Sequence, residues 1–532
     1  MRRIVSAVDT SSPTYRAYRE HNLGLAKELR DALYVAREQR PERALRRLAE
    51  QHKLTVRRRL ELLLDPGTPF LELSALAASR AYDGQAPQGL VVTGIGLVSG
   101  REVMVVAGDS SLKGGSWYPL SVKKIVRALD IALENRLPVV HLIDSGGAFL
   151  PLQDEIYALG GHTFHNQCLL SGAGIPQVAV VLGNCTAGGA YLPTLCDQSI
   201  IVRGTGHVFL AGPPLVKAAT GEEVSAEELG GADMHTSVSG TADYAVDTEE
   251  EGIALARDIA GLWARPVKTP ADWREPEPPY YDPDELYGII PDDIKKQFDM
   301  REVIARIVDG SMYLEFKPAY GNTLVTGWAY IWGMKVGILG NNGVLFSEAA
   351  NKATQFMQLC DRDGIPLLFL HNVTGFMVGR EYERGGITKD GARMLMVQAN
   401  VTVPKLSLLV HASQGAGNYA MAGRAWGPRF LFAWPNSRSA TMGAEQAVST
   451  LTQVRVASMK RQGLEPDPVE LARIEAEVGE YFEATANPYH LTSELRDDGL
   501  IDPTDTRNTL GMALSAALSA PVTRTPGGVL RI

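Results

Sequence analysis

The chain has 532 residues, more than a single hydrophobic core serves, which suggests two domains of ordinary to large size. Its 45% hydrophobic and 21% charged residues are typical of a globular protein that folds in water. With 52 basic and 61 acidic residues, the formal charge of −9 argues against nucleic acid or an anionic membrane as the partner. A local basic pocket for a phosphorylated ligand stays open, and the sequence does not place one.

Cysteine usage and the lack of targeting signals bear on the compartment. The cysteines form no C-x-x-C pair and fit neither a zinc ribbon nor a disulfide framework. No apolar run approaches the ~18 residues of a membrane span. The N-terminal MRRIVSAVDTSS lacks the apolar core of a signal peptide, and Asp9 disfavours a transit peptide. We therefore expect a cytoplasmic protein with no membrane or nucleic-acid partner and no metal site.

The first 65 residues predict a helical arm. Helical periodicity runs from about Tyr15 to Leu64, Pro41 suits the first turn of a second helix, and Asp65-Pro66-Gly67 ends the helical pattern. The many arginines of this arm are interpreted as a solvated or subunit-facing surface.

From Gly89 the pattern changes to short apolar strands that alternate with helices, which predicts an α/β fold. Two strands precede a helix near 121–135 and the strand LPVVHLID, and the same order returns with a helix near 347–362 and the strand IPLLFLHN. The polar, Pro-rich stretch ARPVKTPADWREPEPPYYDPDE separates the copies and predicts a linker, with the boundary near 279–285. A long charged helix is expected at about 454–485.

The two copies keep a fixed spacing, which identifies an internal duplication. In each of four landmark pairs the separation is 228 positions: Pro138 and Pro366, Gly147 and Gly375, Pro176 and Pro404, Tyr191 and Tyr419. Both copies end a buried strand in a glycine turn, GNCTAGGAY in the first and SQGAGNY in the second.

A strand that leads through a glycine turn into a helix directs backbone N–H groups at a ligand oxygen. Amides in Ala187–Gly189 would then bind a carbonyl oxygen as it becomes an enolate, and Gly415–Tyr419 contains the counterpart. Two such turns suggest two oxygens that each develop negative charge. The alternative is a tight turn needed only for packing.

Other chemistry-bearing residues have structural explanations. Cys185 has no adjacent base and is replaced by Ser413 in the second copy, so we interpret it as a buried filler. Asp144-Ser145-Gly146-Gly147 lacks the context of a hydrolase triad. The histidines lack metal-ligand spacing. Lys335 follows Gly-Met, as in a biotin attachment turn, but lies at a strand start and lacks the second Met, so we expect no biotin on this chain.

On these motifs the sequence resembles the carboxyltransferase (β) subunits of biotin-dependent acyl-CoA carboxylases, in particular the methylcrotonoyl-CoA group. The stretches that carry the resemblance run from about residue 57 to 447 and include LIDSGGAFLP, GNCTAGGAYLP, VGILGNNGVLFSEAANK, TGFMVGREYERGGITKDGA and GAGNYAMAGRAWGPRFL. The resemblance implies two crotonase-like domains of ββα units, at 66–280 and 285–532, after the helical arm at 1–65.

The resemblance also implies a reaction and roles for residues. The carboxyl group of carboxybiotin is transferred to an acyl-CoA, with 3-methylcrotonoyl-CoA giving 3-methylglutaconyl-CoA. The acyl enolate would be held at Ala187 and Gly188, with Gly189 as a further candidate, and the biotin urea oxygen at Ala416 and Gly417. The 228 spacing instead pairs Gly188 with Ala416, so two assignments of the donor residues, one position apart, remain for the first turn. The positions expected to bind biotin or coenzyme A are Gly146, Gly147, Tyr191, Asn341, Gly343, Gly375, Phe376 and Tyr419.

Partners follow from the same resemblance. Family members form hexamers of this subunit and bind a separate α subunit with biotin carboxylase and the biotinylated carrier domain. Biotin would be presented by that partner, which alone would use ATP, and coenzyme A would enter as part of the substrate. The biotin turn would be contributed by a neighbouring subunit.

The acyl group is less well defined than the reaction. Where methylcrotonoyl enzymes typically read LPRQ and then a charged loop, this chain has LPLQ, with Leu152 in place of Arg, and a shorter loop. Geranyl-CoA or a short-chain acyl-CoA therefore stays open as the substrate. A biotin-independent hydratase, isomerase or decarboxylase would need a carboxylate base, for which Glu222, Glu223 and Asp233 are available. A non-catalytic scaffold is the third alternative.

Overall fold

The computed structural model describes residues 1–264, 273–463, 465 and 467–522. Residues 265–272 of the predicted linker and the last ten residues lie outside this part of the chain. The N-terminal arm contains the strand β1 (Arg2–Arg3) and the helices α1 (Pro13–Glu38), α2 (Glu42–Glu50) and α3 (Val56–Leu63).

The first half is built on an eight-stranded sheet. Its strands are β2 (Leu71–Leu73), β3 (Val91–Val98), β4 (Arg101–Gly108), β5 (Val139–Ser145), β6 (Gln177–Thr186), β7 (Gln198–Val202), β8 (His207–Phe209) and β9 (Tyr244–Val246). Its helices are α4 (Pro119–Asn135), α5 (Gln153–Gly172), α6 (Tyr191–Thr194), α7 (Pro213–Thr220), α8 (Ala226–Gly230), α9 (Ala232–Met234) and α10 (Glu249–Leu262). The sheet order is β2-β3-β4-β5-β6-β7-β9, with β8 paired to β6.

The second half repeats this plan. Its strands are β10 (Met312–Glu315), β11 (Leu324–Ile331), β12 (Met334–Asn341), β13 (Leu367–Val373), β14 (Lys405–Gln414), β15 (Phe430–Ala433) and β16 (Arg438–Ala440). Its helices are α11 (Leu286–Ile289), α12 (Met300–Ala305), α13 (Ser347–Arg362), α14 (Arg380–Gly385), α15 (Ile387–Asn400), α16 (Gly415–Ala420), α17 (Ala444–Arg461), α18 (Pro468–Ala486), α19 (Pro488–Ser493) and α20 (Thr506–Ala517). The sheet order is β1-β10-β11-β12-β13-β14-β15, with β16 paired to β14.

The duplication extends to strand register. Val139 pairs with Gln177 across β5 and β6, and Leu367 pairs with Lys405 across β13 and β14. In each half an antiparallel hairpin is followed by a helix and then by parallel strands. The central strands are buried along their whole length, as continuous apolar runs require when both faces of a sheet are covered. The predicted α/β fold of two duplicated crotonase-like ββα units is confirmed.

The two copies differ in one loop. The hairpins β3–β4 and β11–β12 are separated by 233 positions, whereas α4 and α13 are separated by 228. Ten residues, 109–118, therefore connect β4 to α4, but only five, 342–346, connect β12 to α13. The first copy carries a five-residue insertion at this point.

The single charged helix expected at about 454–485 is two helices. The helices α17 and α18 pack against each other. Gly463, with φ of +71°, follows the end of α17, and Pro468 occupies the first turn of α18. The glycine and the prolines of QGLEPDP are the sequence signal of this break, which the prediction of a single helix overlooked.

Candidate active site

The first glycine turn begins where strand β6 ends. Ala187 has a φ of +55°, in the left-handed region that a residue with a Cβ seldom adopts, and a 3₁₀ turn then runs over Ala187–Ala190. Ala187 and Gly188 are exposed, and Gly189 is buried. Because the first N–H groups of a helical turn have no acceptor within it, the amide of Gly188 is available to a ligand.

The second glycine turn has the same geometry at the end of β14. Gly415 has a φ of +55° and opens helix α16. Ala416 is exposed and Gly417 is buried, as Gly188 and Gly189 are in the first turn. The backbone conformation thus follows the 228 spacing and makes Ala187 equivalent to Gly415 and Gly188 equivalent to Ala416.

In each half a neighbouring strand end adjoins the turn. Gly147, after β5, has a φ of +84°, and a Cβ placed on it would lie 3.3 Å from the carbonyl oxygen of Thr186. Gly375, after β13, has a φ of +132°, and a Cβ placed on Gly417 would lie 3.2 Å from its Cα. Gly146 is exposed at the first of these strand ends. The structure therefore brings together the predicted strand-end glycines and the turn in each half.

Aromatic side chains flank both turns. Tyr191 is 48% exposed and meets Phe164 edge to face, with ring centroids 6.1 Å apart. Tyr419 is 42% exposed and stacks on Trp426 at 5.1 Å. The sequence pattern missed Phe164, which lies on α5 before strand β6, and Trp426, which lies only seven positions after Tyr419.

The other predicted positions of the second half lie at the ends of β12 and β13. Asn341 is fully buried at the last residue of β12, and its side-chain amide forms no hydrogen bond to the described protein atoms. Gly343, with a φ of +105°, donates its N–H to the carbonyl oxygen of Asn372 at 3.1 Å. Phe376 forms a parallel bridge with Leu345, as Ala148 does with Trp117 in the first half.

A buried ion network supports the end of β5. Asp144 accepts hydrogen bonds from Lys53 at 2.9 Å, Arg59 at 3.0 Å and Ser110 at 2.6 Å. Burial alone would raise the pKa of this carboxyl, but the charges of Arg59 and Lys53 outweigh it and lower the pKa. Arg59, only 1% exposed, also binds Glu249. The interpretation of the arm arginines as a solvated surface is wrong for Arg59, which fixes the arm to the first sheet.

The residues with structural explanations behave accordingly. Cys185 is buried, and burial raises the pKa of its thiol. The Ser145 hydroxyl donates to the carbonyl oxygen of Gly115 at 2.8 Å. Burial lowers the pKa of His371 to about 3, and its Nδ1 lies 2.8 Å from the hydroxyl of Ser413. Lys335 lies within β12, opposite Tyr330.

In the described ranges no cluster of three or more His, Cys, Asp or Glu side chains has the arrangement of a metal site. None of the helices described combines the length and the apolar character that crossing a bilayer requires. What the arrangement offers is two backbone sites, one in each half, that can each stabilise an oxygen as it gains negative charge.

Comparison with known proteins covers nearly the whole chain. Residues 48–527 match the family described as the carboxyl transferase domain. The chain is 49% identical to the biotin-dependent 3-methylcrotonyl-coenzyme A carboxylase beta1 subunit of Mycobacterium tuberculosis, over 97% of this chain and 98% of that protein. It is 48% identical to the mitochondrial methylcrotonoyl-CoA carboxylase beta chain of Arabidopsis thaliana, over 99% of this chain and 91% of the relative. Among solved structures, the beta subunit of P. aeruginosa geranyl-CoA carboxylase superposes with a TM-score of 0.87 at 42% identity and covers 99% of both chains.

Proposed function

The chain belongs to the carboxyl transferase domain family, and on that premise we propose that it is the carboxyltransferase subunit of a biotin-dependent acyl-CoA carboxylase. Its acyl acceptor is 3-methylcrotonoyl-CoA, and the product is 3-methylglutaconyl-CoA. The observation that carries the proposal is the pair of equivalent glycine turns in a chain that is 49% identical, nearly end to end, to a 3-methylcrotonyl-coenzyme A carboxylase subunit.

The first turn, in a domain at 66–280, would bind the acyl thioester. The exposed amide of Gly188, with its neighbours Ala187 and Gly189, donates to the thioester oxygen, whose charge grows as the acyl chain loses a proton. Preorganised donors of this kind contribute about 3–4 kcal/mol each in comparable sites. Tyr191, at the rim of the turn, limits access of water to the acyl chain.

The second turn, in a domain at 285–532, would bind the cofactor. Carboxybiotin, when presented by the partner, supplies the activated carboxyl group. The amides of Ala416 and Gly417 would hold its urea oxygen, and the space beside Gly375, where no heavy atom lies within 4 Å of the position of a Cβ, leaves room for the ring. Asn341 and Gly343, at the end of β12, Phe376, after β13, and Tyr419, on α16, would border this space.

The two turns would meet between subunits. Apolar side chains are exposed near the first turn, with Leu150 at 76% and Tyr157 at 83%, and also on the α17–α18 pair, with Val454 at 57% and Tyr481 at 65%. Exposed apolar surfaces of this kind mark protein interfaces. We propose a hexamer in which the first turn of one subunit faces the second turn of another, served by an α subunit that carries biotin carboxylase and the biotin carrier and uses the ATP. The free thiols of the described cysteines support a cytoplasmic location.

A longer acyl chain is the second candidate, and a glycine pair favours it. Gly160 and Gly161 lie inside helix α5, where each weakens the helix by about 1 kcal/mol relative to Ala. A Cβ on Gly161 would meet no heavy atom within 4 Å, and one on Gly160 would meet only Ile156, at 3.9 Å. Gly160 is one helical turn from Phe164, which lines Gly188. The pair leaves space beside the first turn that geranyl-CoA could occupy.

The biotin-independent alternative has less support. The carboxylates it would need are on the surface, where Glu223 pairs with Lys217 and Asp233 pairs with Arg203. Glu222 is exposed as well. A catalytic base is usually held in a partly buried site that adjusts its pKa.

The experiment is reconstitution with the biotin-carrying partner, ATP and labelled bicarbonate, against a panel of acyl-CoAs that includes 3-methylcrotonoyl-CoA and geranyl-CoA. We expect label in the acyl product only with the partner present. If no acyl-CoA is carboxylated, the proposal is wrong, and turnover without biotin would favour the alternative reaction.

Two variants test the roles of the turns. Gly188→Val and, separately, Ala416→Val should abolish carboxylation while assembly is retained. Gly24→Val and Ala17→Val make the same changes at exposed positions of α1 and should not reduce activity. Full activity of either turn variant would contradict the account with two oxygen sites.

A further inference from the structure

Three polar side chains connect the second glycine turn to an inner strand of the second sheet. Nδ1 of His371, on β13, lies 2.8 Å from Oγ of Ser413, near the end of β14. Nδ2 of Asn418, on α16, donates to the same Oγ at 2.7 Å. His371 and Ser413 are fully buried. The three side chains therefore form one hydrogen-bonded series from the sheet to the helix that contains the turn, which we call the His-Ser-Asn chain.

The first half has apolar residues at the same three positions. The 228 spacing makes Ile143, Cys185 and Ala190 the equivalents of the His-Ser-Asn chain. The strand register agrees, because Cys185 and Ser413 occupy the same place in their sheets. All three first-half residues are buried in one hydrophobic core cluster. Since apolar side chains satisfy the packing of this fold here, the polar set in the second half needs a separate explanation.

The protonation state of His371 gives the chain a direction. Burial lowers the pKa of His371 to about 3, so the imidazole is neutral at physiological pH and one ring nitrogen accepts a hydrogen bond. The amide nitrogen of Asn418 can only donate, so the Ser413 hydroxyl accepts from it and its own proton is left for Nδ1 of His371. Hydrogen bonds of this kind restrict orientation through their angles, which apolar contacts do not.

The helix end of the chain is fixed beside the amides of the turn. A Cβ on Gly423 would overlap Oδ1 of Asn418, so the side-chain amide packs directly on that glycine. The N–H of Gly423 also donates to the carbonyl oxygen of Asn418 at 2.8 Å. Asn418 lies in the same helical turn as Ala416 and Gly417. Because the backbone of one helical turn moves as a unit, fixing Asn418 also fixes the direction of these two amides.

We propose that His371, acting through Ser413 and Asn418, is a positioning residue for the second glycine turn. It holds the amides of Ala416 and Gly417 in the direction that the urea oxygen of biotin requires. This inference rests on the proposed function, since it assumes biotin at this turn. A cofactor that is carried by a separate subunit would have to be oriented by the site at each turnover, and the donors must already be in place when it arrives.

The main test gives the second half the residues of the first half. The variant combines His371→Ile, Ser413→Cys and Asn418→Ala, so the whole polar chain is replaced by side chains that the first half packs. Its free energy of unfolding should change little or rise, because no buried polar partner is left unpaired. The holoenzyme is assayed for transfer of the carboxyl group from the acyl-CoA product to free biotin, in which the acyl chain takes up the proton that the biotin nitrogen loses. We expect kcat to fall about tenfold, since a displacement of about 1 Å costs up to about 100-fold in comparable sites. KM for the acyl-CoA should keep its wild-type value.

Single variants separate positioning from packing. His371→Leu removes the acceptor for Ser413 and should lower kcat as the triple variant does, whereas His371→Gln can accept through its amide oxygen and should restore most of the rate. The matched control is His141→Leu, which removes a fully buried histidine from β5, the equivalent strand of the first half. It should leave kcat with free biotin unchanged.

Wild-type kcat in the triple variant, or an equal loss in His371→Gln and His371→Leu, would overturn the proposal. A rise in KM for the acyl-CoA with unchanged kcat would also overturn it, because the effect would then lie at the first turn. If the triple variant fails to fold, the two single variants at position 371 carry the test, with thermal unfolding to confirm that both are folded. A wild-type holoenzyme that carboxylates neither free biotin nor any acyl-CoA would refute the proposed function itself. Loss in the variants alone separates the two results.

Discussion

The equivalent glycines Gly189 and Gly417 should respond in opposite ways to the same substitution. A Cβ on Gly417 would lie 2.6 Å from Cγ2 of Val373 and 3.2 Å from Cα of Gly375, closer than real contacts allow. Val373 is buried and β-branched, so it has little freedom to move. A Cβ on Gly189 would meet no heavy atom within 4 Å.

Gly417→Ala therefore requires the start of α16 to move away from the end of β13. Overpacking of this kind costs about 1–3 kcal/mol of stability. The amide of Ala416 moves with the helix, and misplacing one such donor typically lowers kcat by about 10²–10³. In Gly189→Ala the backbone φ suits alanine, so stability should hold or rise by about 0.4–1 kcal/mol.

The assay has two parts. Thermal unfolding of each purified variant gives the change in midpoint against wild type, and carboxylation with saturating partner gives kcat for Gly417→Ala. Gly24→Ala, at an exposed glycine of α1 with open space around it, is the control for both. The reasoning is refuted if Gly417→Ala keeps the wild-type midpoint and kcat, or if Gly189→Ala lowers the midpoint.

Four further substitutions give three more predictions. Ala187→Gly should stabilise the chain by about 1 kcal/mol because it removes a Cβ from a residue in the left-handed region, and Gly415→Ala should destabilise the chain for the opposite reason. Thermal unfolding should show midpoint shifts of opposite sign for the two variants. Burial, then the charge of Asp498, raises the pKa of Asp497 to about 7, so the folded chain holds a proton that the unfolded chain releases and stability falls from about pH 4 to pH 7. The Asp497→Asn variant should not show this loss, so its unfolding temperature should exceed that of the wild type at pH 8 but not at pH 4. An equal difference at both pH values would contradict the prediction. Leu152→Arg should lower kcat/KM about tenfold more for geranyl-CoA than for 3-methylcrotonoyl-CoA, because a charge replaces apolar surface near the acyl site; an unchanged ratio would show that Leu152 does not contact the chain.

The glycine turns could be predicted because their signals are local. A buried strand is an apolar run, a turn needs glycine, and the duplication repeats both at one spacing. Burial of charge could not be predicted in this way. Lys124 and Lys352 occupy equivalent positions, are fully buried, and donate to the equivalent carbonyl oxygens of Val91 and Leu324. On the sequence they are ordinary helix-surface lysines, because nothing local indicates that a strand lies over them.

Insertions were the second feature that could not be predicted from the sequence. The spacing of 228 holds from the start of α4 to the glycine turns, and only the structure shows that the preceding hairpins obey 233. Lys113 lies in the segment 109–118, whose five additional residues account for this difference. A residue without a counterpart gives no signal in a comparison of two copies, so the duplication could not reveal what this insertion does.

The path of the first 65 residues has a consequence for how such a duplicated chain can change over time. Strand β1 pairs with β10 at the edge of the second sheet, while Arg59 is buried against the first. Asn22, between them, donates to the carbonyl oxygens of Tyr287 and Ile290. A gene split between the halves would leave one fragment without its edge strand and the other with a segment that has lost its docking surface. Two units that began as copies are thus no longer separable modules, and recombination that exchanges one half for that of a relative must carry the arm's contacts on both sides.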